Sequence, residues 1–66
     1  MLLDKLMDYE MGNLDDAQIL EMFRDLIESG AAWRLQGHYG RTAQRLLDAG
    51  LIRRDNRGRY VVSVNK

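Results

Sequence analysis

The chain has no cysteine and a single histidine, His38. Disulfides are thereby excluded, and a structural zinc site would lack its thiolate ligands. No apolar run approaches the ~20 residues that a membrane-spanning helix needs, so no membrane partner is expected. Near the N-terminus, Asp4 and Asp8 interrupt the apolar residues Leu2, Leu3, Leu6 and Met7. A secretory signal would instead have a basic start and an unbroken apolar core. With no cysteine to oxidise, this predicts a protein of the cytoplasm. Serine is scarce too: Ser29 and Ser63 are the only two, and neither stands in a nucleophile context. His38 has no second positioned group beside it for acid–base work. Asp15 and Asp16 read as helix-cap residues, not as a metal pair. The sequence therefore contains no catalytic residue, no metal set and no cofactor motif, and an enzyme is not expected.

Size sets the next bound. A chain of 66 residues forms one domain, residues 1–66, and buries only roughly 60% of the surface its unfolded form exposes. Domains this small usually add a disulfide, a metal or a partner subunit. With the first two excluded, a weak homo-oligomer has a physical motive.

The net charge of zero hides a separation. Residues 1–30 carry eight acids against Lys5 and Arg24, a net of −6. Residues 31–66 carry eight bases against Asp48 and Asp55, a net of +6. One reading is a basic face that meets an anion such as nucleic acid. The other is that the two halves neutralise each other, within one chain or across a dimer.

Periodicity predicts helices over about 2–11, 16–29 and 38–49, followed by a hairpin over about 51–64. In the first helix, Leu2, Leu3, Leu6 and Met7 share a face, and Gly12 is a stop. The second helix opens with a capping box, Asp15 with Gln18, and a hydrophobic staple, Leu14 with Ile19. Its core stripe is Ile19, Leu20, Phe23, Leu26 and Ile27, and Gly30 ends it. The third helix places Tyr39, Ala43, Leu46 and Leu47 on one side, with Arg41, Gln44, Arg45 and Asp48 on the other. Gly40 within it costs up to ~1 kcal/mol against alanine, which suggests close packing on a neighbour such as the Trp33 ring. Residues 31–36 read either as a short strand, because Trp33 and Leu35 alternate with smaller or polar residues, or as a helical turn. In the hairpin, Asp55-Asn56-Arg57-Gly58 is turn chemistry, and Tyr60, Val62 and Val64 share the core face. The fold class is mainly α with a C-terminal β-hairpin.

Helix, turn, helix and basic hairpin together resemble a winged helix. Residues Arg41 to Ile52 resemble a recognition helix leading into the wing, and Arg53 to Tyr60 resemble the wing. That resemblance implies DNA as a partner, with Arg41 and Arg45 reaching it from the helix and Arg53, Arg54, Arg57 and Arg59 from the hairpin. One departure is that residues 30–37 are long for a helix-turn-helix turn of 3–4 residues. A second likeness rests on Leu35-Gln36-Gly37-His38-Tyr39-Gly40-Arg41-Thr42-Ala43. With the acidic helix before it and Glu28 to Trp33, this stretch is similar to a family of small, uncharacterised tailed-phage proteins. It implies a phage origin and a role inside the host cell, and it brings no functional residue with it. The glycines of that stretch admit a phosphate at the helix start or simply a tight turn that lets Tyr39 and Trp33 pack. Trp33 and Tyr39 are suited to stacking bases, but in so small a chain the core is the stronger claim on them. The leading functional expectation is a nucleic-acid-binding or transcription-regulating module. The alternative is a non-enzymatic module that binds a host protein through the acidic helix or an apolar patch.

Overall fold

A computed structural model describes residues 2–35 and 37–63. The element order is α1 (Leu2–Glu10), α2 (Asp16–Ser29), a single 3-10 turn (Ala31–Trp33), α3 (Gly37–Asp48), β1 (Ile52–Arg54) and β2 (Tyr60–Val62). The expected helix and strand bounds agree to within one or two residues, which is the usual scatter at frayed ends. Val64, expected on the core face, lies outside the described residues. The layout of three helices followed by an antiparallel hairpin is consistent with a winged-helix arrangement.

α2 is the organising element, and its start is set by side chains. The Gln18 N–H donates to Asp15 Oδ1 at 2.8 Å, and the Asp15 N–H donates to Gln18 Oε1 at 3.0 Å. This capping box satisfies two of the amide groups that a helix start leaves open. Gly30 closes the helix in the left-handed conformation, at φ +81°. Met22, Phe23 and Leu26 are fully buried, and Ile27 nearly so. Ala32, Tyr39, Ala43 and Ile52 complete the core around them.

α1 lies against α2 through Leu6 and Tyr9, and the Tyr9 ring meets Phe23 edge-on at 5.6 Å between centroids. Met7, expected on that inner face, is instead 58% exposed. Tyr9 takes the inward direction because its ring covers more of the core than a methionine does.

Residues 31–33 form a helical turn, not a strand. Leaving Gly30, the chain winds at three residues per turn, so only one of three side chains points inward. Ala32 takes that place at 0% exposure, and Trp33 is left 49% exposed. The expectation that Trp33 belongs to the core is thereby corrected, whereas Tyr39 is buried as expected.

In the hairpin, Ile52 pairs with Val62 and Arg54 with Tyr60. Gly58, at φ +81°, closes the turn with its N–H on the Asp55 carbonyl at 3.1 Å. The Leu51/Ser63 and Asp55/Arg59 pairs carry ladder hydrogen bonds. By alternation, the Tyr60 N–H and C=O point outward from β1. Two α2 side chains meet them: Arg24 Nε donates to the Tyr60 carbonyl at 2.8 Å, and the Tyr60 N–H donates to Glu28 Oε1 at 2.9 Å. β2 is thus clasped onto α2, and β1 runs beside α3.

Candidate functional site

The basic half of the chain is displayed at the surface. Arg41 and Arg45 sit on α3, whose inner side is fixed by Tyr39, Ala43, Leu46 and Leu47. At 3.6 residues per turn, Arg41, Gln44, Arg45 and Asp48 are turned the other way, and all four are exposed. Arg53 and Arg54 lie on β1, Arg57 in the turn and Arg59 at its exit, and all four are exposed.

The acids near them are engaged elsewhere. Asp48 accepts from Gln44 Nε2 at 3.0 Å. Asp55 Oδ1 accepts the backbone N–H groups of Arg57 and Arg59, each at 2.9 Å, so its carboxylate orders the turn. Among the described residues the ion pairs are Lys5–Asp25, Arg24–Asp25 and Arg24–Glu28. All of them fall within the N-terminal half. The alternative that the acids of α2 neutralise the C-terminal arginines inside one chain therefore fails among the described residues. Of those acids, Asp25 and Glu28 are engaged by Arg24, and Glu28 also by the backbone of Tyr60.

The six arginines are not equivalent. Arg54 spans its own hairpin: its guanidinium lies 5.5 Å from the Tyr60 ring centroid, and its Nε donates to the Gly58 carbonyl at 3.3 Å. The Arg41 guanidinium folds back over Gly37, 3.1 Å from where a Cβ would stand. Arg45, Arg53, Arg57 and Arg59 make no side-chain hydrogen bond or ion pair among the described residues.

At the N-terminal end of α3, Tyr39 reaches back to α1, where its hydroxyl donates to Glu10 Oε2. Burial, and the acceptor carboxylate of Glu10 beside it, push the Tyr39 phenol up to about 12. Tyr39 also stands 6.0 Å from Tyr9 and 6.2 Å from Phe23, centroid to centroid, so its ring is committed to the core. His38 is exposed and lies against Tyr39.

Among the described residues no three His, Asp or Glu side chains converge as metal ligands, and no helix is long and apolar enough to cross a membrane. Two surface grooves of about 310 Å3 each lie along α2. One is lined by Lys5, Asp8, Leu14, Gln18 and Glu21, the other by Asp16, Ile19, Leu20, Leu46 and Leu51.

A family model described as a domain of unknown function, DUF7417, matches residues 1–63. The chain belongs to the DUF7417 family. The family description names no activity, substrate or partner. No significant match exists among curated proteins or among solved structures.

Sequence reasoning missed the Arg24–Tyr60–Glu28 clasp. The spacing of Arg24 and Glu28 marks an i, i+4 pair, but nothing in it points to a strand 32 to 36 residues away. It also missed Glu10 as the acceptor for Tyr39.

Proposed function

We propose that the chain is a small phage-type nucleic-acid-binding or transcription-regulating module, acting in the cytoplasm of a host cell. The observation that carries this reading is the display of Arg41, Arg45, Arg53, Arg54, Arg57 and Arg59: all are exposed, and none is ion-paired among the described residues. Unpaired guanidiniums on a surface are what a phosphate backbone recruits, because each contact releases condensed counterions. The hairpin arginines supply sequence-independent grip, and Arg41 and Arg45 on the helix are placed to reach base edges. The 3-10 turn between α2 and α3 lengthens the connection beyond that of a standard helix-turn-helix, so the hairpin carries a larger share of the contact. The phage attribution rests on the likeness of about residues 6–52, centred on residues 35–43, alone.

A second reading, a module that binds a host protein, is favoured by one feature. Met7 and Met11, one helical turn apart, are 58% and 72% exposed, beside the exposed acids Asp8 and Glu10. A basic amphipathic segment is the matching partner chemistry.

Fluorescence-anisotropy titration with duplex and single-stranded oligonucleotides at about 50 mM salt, where phosphate contacts are strong, separates the two. Binding that weakens at least tenfold in the Arg41→Ala/Arg45→Ala variant supports the nucleic-acid reading. No binding to either strand form removes it and leaves the protein partner.

A further inference from the structure

Two glycines lie in the first turn of α3: Gly40 is covered by the Ala32 carbonyl and the Trp33 ring, and Gly37 by Arg41 from one turn further along the same helix. A Cβ at Gly40 would lie 3.6 Å from Trp33 Cε3 and 4.0 Å from Cζ3, so the six-membered ring of the indole rests on that position. A Cβ at Gly37 would lie 3.1 Å from an Arg41 guanidinium nitrogen. Positions three apart on a helix are neighbours, about 5–6 Å between Cβ sites. The indole edge and the guanidinium thus cover two neighbouring positions on α3 that carry no side chain. Both residues are exposed, Trp33 by 49%, and Arg34 beside Trp33 is exposed as well. Neither arginine is ion-paired among the described residues. The remaining aromatic side chains are occupied: Tyr9, Phe23 and Tyr39 face one another in the core, and Tyr60 lies under Arg54.

We propose that Trp33 is a stacking platform for an unpaired base, with Arg34 holding the adjoining phosphate and Arg41 free to reach a base edge, so that the preferred ligand is single-stranded or locally opened nucleic acid. The proposal rests on the nucleic-acid reading above and adds the class of ligand. An aromatic plane flanked by free cations is the chemistry that single-strand binders use: the plane takes a base regardless of its identity, and the cations track the backbone.

Trp33 is the only tryptophan, so its emission reports on the site directly. The test titrates the whole protein at about 50 mM salt with an oligothymidine strand, an abasic strand of equal length and charge, and a duplex. The expected result is quenching of Trp33 emission by oligothymidine and binding about tenfold tighter than to the abasic strand. Trp33→Phe should keep most of that preference and Trp33→Ala should abolish it, with the salt dependence unchanged in both. If oligothymidine and abasic strands bind alike, or if emission does not change on binding, the platform is refuted while the nucleic-acid reading stands. If none of the three ligands binds, the reading beneath it falls and the platform with it.

Discussion

Removing the Arg24 side chain should release the hairpin from α2. In Arg24→Ala the outward carbonyl of Tyr60 loses its 2.8 Å donor, and Glu28 loses the guanidinium that stands 3.9 Å from it. A hydrogen bond to a charged group is worth about 1.5–3 kcal/mol. The Arg24 side chain is one-third exposed, so solvent takes back part of that, and the expected loss is about 1–2 kcal/mol. At roughly 0.05–0.15 kcal/mol per residue, that is a sizeable fraction of the stability of so short a chain. It corresponds to a melting temperature lower by about 5–15 °C. Glu28→Gln keeps an acceptor for the Tyr60 N–H and should cost less than Glu28→Ala. Asp25→Asn, which disturbs only pairs within the N-terminal half, should cost no more than ~1 kcal/mol. Urea melts followed by circular dichroism give the free energies, and amide exchange at Tyr60 reads the clasp itself. Should Arg24→Ala melt at the wild-type midpoint while the Tyr60 amide remains as protected as before, the clasp contributes nothing and the reasoning is wrong.

Asp15→Ala removes the capping box and should cost about 1 kcal/mol in the same melts; an unchanged midpoint would mean that α2 is stabilised from another point. For Tyr39 the folded phenol titrates near 12 instead of 10, so the folded state holds the proton longer than the unfolded one. Its contribution is full below pH 10 and is lost as pH rises from about 10 to 12, and stability measured across that window should fall less steeply in Tyr39→Phe than in wild type. Gly40→Ala should stabilise the protein by about 0.5–1 kcal/mol, because the added methyl meets the Ala32 carbonyl and the Trp33 ring at 3.5–4.0 Å, ordinary contact distances. A lower melting temperature in that variant would show that the approach is tighter than these distances allow.

Local chemistry was legible wherever a short stretch of chain decides the outcome. The Asp15/Gln18 box, the Gly30 stop and the Asp55-Asn56-Arg57-Gly58 turn are each settled within about four residues, and each forms as expected. The sides of α3 were legible for the same reason, since Tyr39 and Ala43 leave only one direction for Arg41 and Arg45. Trp33 was not legible: its exposure follows from a three-residue turn in which Ala32 wins the single inward position, and period-two alternation resembles such a turn over so few residues. Gly40 does face Trp33, but at contact distances that would admit a methyl group, so packing does not require the glycine. The clasp of β2 was illegible because it joins α2 side chains to backbone groups, and backbone groups carry no sequence signature. Whether the opposite charges of the two halves would meet was open in composition. Within one chain they do not meet among the described residues, where every ion pair lies between Lys5 and Glu28 and the acids of the basic half, Asp48 and Asp55, bond to Gln44 and to turn amides.

The claim that matters most is that the exposed arginines exist to meet phosphate, and the salt dependence of binding tests it directly. Affinity for a duplex is measured from about 50 to 200 mM salt, for wild type and for single alanine variants of Arg53, Arg57 and Arg59, none of which makes a side-chain hydrogen bond or ion pair among the described residues. Each variant should flatten the log–log slope by about 0.9 while weakening binding equally on all sequences, and Arg41→Ala or Arg45→Ala should in addition relax sequence preference. A slope that stays the same as the arginines are removed, or no binding at the lowest salt, would contradict it.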